Sequence, residues 1–113
     1  MRAEELKGHL DALLLAALED GPRHGYAVIE ALRQSTGGRL DLPTGTIYPA
    51  LHRLQRTGLV RSRWETVGGR RRRVYTLSDA GRQALHAERG GWRRYSAAVE
   101  RLLLGNATRP ATP

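Results

Sequence analysis

Residues 45–56 read Gly-Thr-Ile-Tyr-Pro-Ala-Leu-His-Arg-Leu-Gln-Arg and crowd hydroxyls, an imidazole and two guanidiniums onto one short segment. Side chains of these types bond to phosphate oxygens and to base edges. A second group, Gly68-Gly69-Arg70-Arg71-Arg72-Arg73, sets four cations beside two glycines. The glycines permit a tight reversal close to another backbone, and the arginines can neutralise phosphates or enter a minor groove. Other chemistries lack their residues. The histidines at 9, 24, 52 and 86 show no metal-ligand spacing, so no metal is expected and His24 reads as a cap or surface residue. There is no nucleophile–base pair and no Gly-rich loop ending in Gly-Lys-Ser/Thr, so neither an enzyme nor a cofactor is expected.

The 113 residues suffice for one domain with a core. Nineteen basic residues against 11 acidic ones give a net charge of +8, which attracts polyanions such as nucleic acid or an acidic membrane surface. All the cations but Lys7 are arginines. A GC-rich codon bias would produce that choice, but not the clustering at 70–73. With no Phe, the core must come from Leu, Val, Ile and Ala, with Trp64, Trp92 and the tyrosines adding bulk. The lack of cysteine excludes disulfides and thiolate metal sites and fits a reducing compartment, so the expected location is cytoplasmic and nucleoid-associated. The longest apolar run, residues 12–18, falls far short of the roughly 20 residues that span a bilayer. No signal-peptide cleavage pattern is read.

The segments that must carry these groups follow from periodicity. Leu10, Leu13, Leu14, Ala17 and Leu18 form the stripe of a first helix, which Gly21-Pro22 stops. A second helix is expected from about His24 to Gln34, ended by Gly37-Gly38. Its apolar side would hold Tyr26, Ile29 and Leu32. In a third, Ile47, Ala50, Leu51 and Leu54 repeat at helical spacing, and Gly58 is the stop. Thr46 is the expected N-cap, which puts Pro49 third in the helix, where its missing N–H costs nothing. After Gly58 the period becomes two, predicting a strand, a Gly-Gly loop with a basic tip and a second strand. Ser78 caps a last helix over about 79–104, and 105–113 reads as a disordered tail. No internal repeat is found.

Three helices followed by a basic hairpin is the order of a winged helix-turn-helix, here mainly α with a small β-hairpin (α+β) and a long C-terminal dimerisation helix. The predicted division is a winged domain over 1–78, the dimerisation helix over 79–104 and the tail. The third helix, about 46–57, would enter a major groove, with the wing, about 66–73, on backbone or minor groove. Alternation sends Arg71 and Arg73 to one face and Arg70 and Arg72 to the other. Along the last helix Leu85, Trp92 and Val99 recur every seven residues, with Tyr95, Leu102 and Leu103 on the same face. A helix about 39 Å long with so much apolar surface is answered economically by a second chain. A two-fold dimer would present recognition helices about 34 Å apart to a pseudo-palindromic duplex. The runner-up is a winged-helix module that binds protein or RNA without sensing a small molecule.

Together, His24-Gly25-Tyr26 with the helix after it, Gly45 to Val60, and Gly69 to Leu85 resemble the PadR-like transcriptional regulators. The likeness covers about residues 6–104 and the length is similar to that of the short-chain subfamily. It implies a homodimer, control of transcription that is usually repression, and often relief by a small molecule. It also supports a Tyr48 hydroxyl on phosphate rather than a ring packed at the platform edge. The DNA-contacting set is then Tyr26, Thr44, Thr46, Tyr48, Pro49, His52, Arg53, Arg70, Arg71 and Arg72. Tyr26 could equally place its ring in the core. Multidrug-sensing members stack planar ligands on a tryptophan in the corresponding helix, which implies an aromatic effector site at Trp92, Tyr95 and Ser96. No acidic residue follows Trp92 by three or four positions, which argues against cationic ligands. Gly90-Gly91 reads either as close backbone approach at the dimer interface or as part of that pocket.

Overall fold

The computed structural model describes residues 8–105. Its elements run α1 (Leu10–Ala17), β1 (Arg23–His24), α2 (Gly25–Ser35), α3 (Thr44–Arg56), β2 (Val60–Val67), β3 (Arg70–Leu77) and α4 (Asp79–Leu103). The expected tail lies, from residue 106 onward, outside the described residues. The α+β winged arrangement agrees with the expectation.

Each boundary has a local cause. The His24 Nδ1 accepts from the Ala27 N–H at 3.4 Å and so caps α2, as read for this histidine. That helix ends on Gly37 and Gly38, both at positive φ. Their N–H groups donate back to Gln34 and Arg33 carbonyls at 3.2 and 2.8 Å. This is the double closure that a left-handed glycine allows. The C-terminus of α3 repeats it: Gly58, at φ 81°, donates to Gln55 and Leu59 donates to Leu54. Between β2 and β3 the reversal is only two residues, Gly68 and Gly69, with φ of 57° and 78°. Two consecutive positive φ values match the twist of a two-residue hairpin. All four arginines therefore lie on β3 itself rather than in a loop.

The start of α3 differs from the expectation. Pro43, in extended conformation, is the N-cap, and its carbonyl accepts from Thr46 and Ile47 N–H at 3.0 and 3.1 Å. The helix thus begins at Thr44, so Thr46 is its third residue and Pro49 its sixth. Pro49 consequently removes one ladder donor, the one that would reach the Gly45 carbonyl. Gly45 is exposed, so water can serve that oxygen. The strand β1 was not anticipated; its two residues pair with Tyr75 and Val74, making a sheet ordered β1-β3-β2.

α1 packs against α2, α3 and α4, and α2 against α3. The predicted α3 stripe, Ile47, Ala50, Leu51 and Leu54, is buried throughout. Full burial of one such leucine contributes about 1.5–3 kcal/mol. In α1 the stripe widens, because Leu15, just beyond the Leu18 edge of the predicted face, is buried too. The aromatic contribution is corrected: only Tyr75 joins the core, whereas Trp64, Trp92, Tyr26 and Tyr95 are exposed. Leu40 and Leu42, between α2 and α3, fill the space instead.

Candidate nucleic-acid interface

The outer edge of α3 is set by a glycine on another helix. A Cβ at Gly25 would overlap the Tyr48 ring and hydroxyl, so the first residue of α2 must be Gly for the tyrosine to lie there. Tyr48 is half-buried, and burial first and the neighbouring Tyr26 second push its phenol above the ordinary value. Tyr26 itself is 67% exposed, so its ring lies outside the core. Thr44, Gly45 and Pro49 are exposed, and Thr46 is half-buried. No side chain caps this helix start, which leaves first-turn N–H groups directed outward, where an anion is favoured.

Further along α3, His52 and Arg56 are exposed. Arg53 departs from the expectation. Its guanidinium pairs with the Asp11 carboxylate on α1, so it is turned towards the platform. Reaching a base would first require breaking that ion pair.

On the wing the predicted alternation holds. Arg71 and Arg73 share a face with Trp64, over which their guanidiniums lie at 4.7 and 5.1 Å from the ring centroid. Arg70 is exposed at the tip. Arg72, grouped with the DNA contacts from sequence, is half-buried on the other face and its Nε is buried without a hydrogen-bond partner. It lines a depression of about 320 Å³ with Asp20, His24 and Glu65. Burial, followed by the charge of Arg72, holds the His24 imidazole below its ordinary value, while Glu65 opposes the shift.

One polar node ties α3 to α4. Ser78 Oγ donates to the Gly58 carbonyl at 2.6 Å and accepts from the Gly81 N–H at 3.0 Å. A Cβ on Gly81 would run into the Leu59 carbonyl oxygen. Sequence reading caught the cap but not this second contact, and it missed the Gly25–Tyr48 fit, because both depend on neighbours far along the chain.

The apolar face of α4 divides in two. Leu85, expected at a dimer interface, is buried in the core of its own chain, because α4 begins by packing on α1. Beyond it Trp92, Tyr95, Leu102 and Leu103 are exposed and Val99 is half-buried. Trp92 meets His9 edge-on at 5.2 Å and Tyr95 at 6.0 Å. The Ser96 hydroxyl donates to the Arg93 carbonyl of its own helix at 3.3 Å. Nothing lies within 4 Å of a Cβ at Gly91, so no crowding inside this chain demands glycine there. Among the described residues no cluster could hold a metal ion and no helix is long and apolar enough to cross a membrane.

The fold and these sequences recur elsewhere. A PadR-family crystal structure from Eggerthella lenta superposes with a TM-score of 0.79 at 30% identity, covering 91% of this chain and 88% of that one. Bacillus subtilis PadR in complex with operator DNA matches with a TM-score of 0.64 at 29% identity over 69% of this chain and 45% of that one. The Mycobacterium tuberculosis transcriptional regulator Rv3488 is 43% identical over 67 residues, 59% of this chain and 50% of its own length. The match to a longer Streptomyces fradiae protein covers only 24% of that relative. The profile described as the transcriptional regulator PadR-like family fits residues 14–87, from the buried half of α1 through the wing to the first turns of α4. The chain belongs to the PadR-like family of transcriptional regulators.

Proposed function

We propose that the protein binds duplex DNA sequence-specifically as a homodimer and represses transcription until a small planar aromatic compound relieves it. One combination carries the DNA reading: α3 turns the edge from Thr44 to Pro49 outward, with Tyr48 held against Gly25, and the same chain carries a strand with four arginines. Uncapped N–H groups and hydroxyls on that edge suit phosphates and base edges, and the net charge of +8 suits the polyanion. The likeness to a PadR bound to operator DNA supports the same docking. Pairing through Trp92, Tyr95, Val99, Leu102 and Leu103 would remove the exposed apolar stripe from water. The aromatic cluster of His9, Trp92 and Tyr95 supports stacking of a planar effector there.

The test is a footprint of the purified protein on the intergenic DNA upstream of its own gene, with and without planar aromatic compounds. Protection of a pseudo-palindrome, weakened by such a compound, is expected. Binding to RNA or to a protein in preference to any duplex would replace this reading with the runner-up. For the effector alone, quenching of the remaining tryptophan in a Trp64→Tyr background is expected, and unchanged fluorescence removes the pocket.

A further inference from the structure

Trp64 plays no part in the reading above, yet it is 54% exposed on the wing and two cations lie over it. Arg73 stands directly across from it in register, and Arg71 lies one same-face position nearer the tip, opposite Thr66. Arg73 is also anchored inward: its Nε donates to Ser62 Oγ at 3.0 Å. Ser62 Oγ in turn donates to Gln55 Oε1 on α3 at 2.9 Å. A continuous line of contacts therefore runs from α3 through Ser62 and Arg73 to the indole and on to Arg71.

An arginine on an exposed hairpin ordinarily samples many rotamers. Stacking on an indole fixes the guanidinium plane while its in-plane N–H donors stay free, the fork that suits phosphate. The opposite face offers no such device, since Arg72 is half-buried near His24 and Glu65. We infer that Trp64 is a positioning residue for DNA binding: its ring, fixed to α3 through Arg73, presents Arg71 in a preset orientation to a backbone phosphate. This rests on the DNA reading above.

The experiment uses the full chain and a mixed-sequence duplex of about 30 base pairs, because a phosphate contact needs no operator. Affinity is followed by fluorescence anisotropy across a salt series for the parent, Trp64→Ala, Trp64→Phe, Arg71→Ala and the double alanine variant. Thermal unfolding of each variant runs in parallel. Trp64→Ala is expected to weaken binding about three- to tenfold and to lower the salt slope by about one phosphate per protomer bound, as Arg71→Ala does. The double variant should bind about as well as either single one, and Trp64→Phe should keep most of the affinity, since a stacking face remains. A merely structural tryptophan would lower the unfolding temperature but leave the slope alone. The inference is overturned if Trp64→Ala keeps the parental slope while Arg71→Ala loses it, or if the two losses add. A parent that does not bind duplex at all overturns the DNA reading itself.

Discussion

Trp64 and Trp92 are exposed to almost the same degree, 54% and 53%, but in opposite company. Guanidiniums cover the first, whereas the second meets His9 and Tyr95 and is followed along α4 by leucines that are 85% and 78% exposed. Two copies of the wing would bring like charges together, so this surface repels its own kind and attracts a polyanion. The outer half of α4 has apolar area to remove from water, which a second copy of the same face can do. The same side chain thus sits in two settings, one suited to a polyanion and one to an apolar partner, and the groups around it make the difference.

Both regions hang from one junction, so the largest effect is expected where it is broken. Gly81→Ala would press a methyl into the Leu59 carbonyl, and backbone cannot swing aside as a side chain can. A loss of about 1–3 kcal/mol is expected in urea unfolding, with duplex binding and self-association both weakened. The next change separates the regions. The double substitution Leu102→Asp and Leu103→Asp should weaken dimerisation more than tenfold in sedimentation velocity while leaving the far-UV circular dichroism of the folded domain unchanged, since neither leucine is buried in its own chain.

A smaller effect is expected at Gly25→Ala, which would displace the Tyr48 ring rather than backbone. Duplex affinity should fall several-fold with dimerisation untouched. The smallest concerns His24, whose imidazole is held below its ordinary value of 6.5. The folded chain then takes up that proton less readily than the unfolded chain. Stability should be whole above about 6.5 and decline as pH falls below it. In urea titrations between pH 7.5 and 5.5, His24→Asn, which keeps a capping acceptor, should flatten this decline.

What the sequence disclosed follows the same divide between near and far. Ile47, Ala50, Leu51 and Leu54 were legible because helical spacing alone selects the buried face. The glycine stops were legible because positive φ is a local demand. Alternation correctly placed Trp64 on a strand face, but it does not say how far the core extends along the strand, so the residue was misjudged as core bulk. Heptad spacing marked Leu85 as apolar without saying whether its cover is its own α1 or a second chain. Arg53 is exposed, as its helix position implies, but periodicity could not show that Asp11, 42 residues away, takes its guanidinium. The start of α3 was missed because a proline carbonyl, not a side chain, begins it.

Amide hydrogen exchange of the full chain, with and without a bound duplex, tests the division of labour most directly. Added protection should fall on residues 44–49 and on the wing around 66–72, with residues 92–103 already protected by self-association and unchanged by DNA. Duplex-dependent protection along 92–103, with the α3 edge and the wing unaffected, would contradict it.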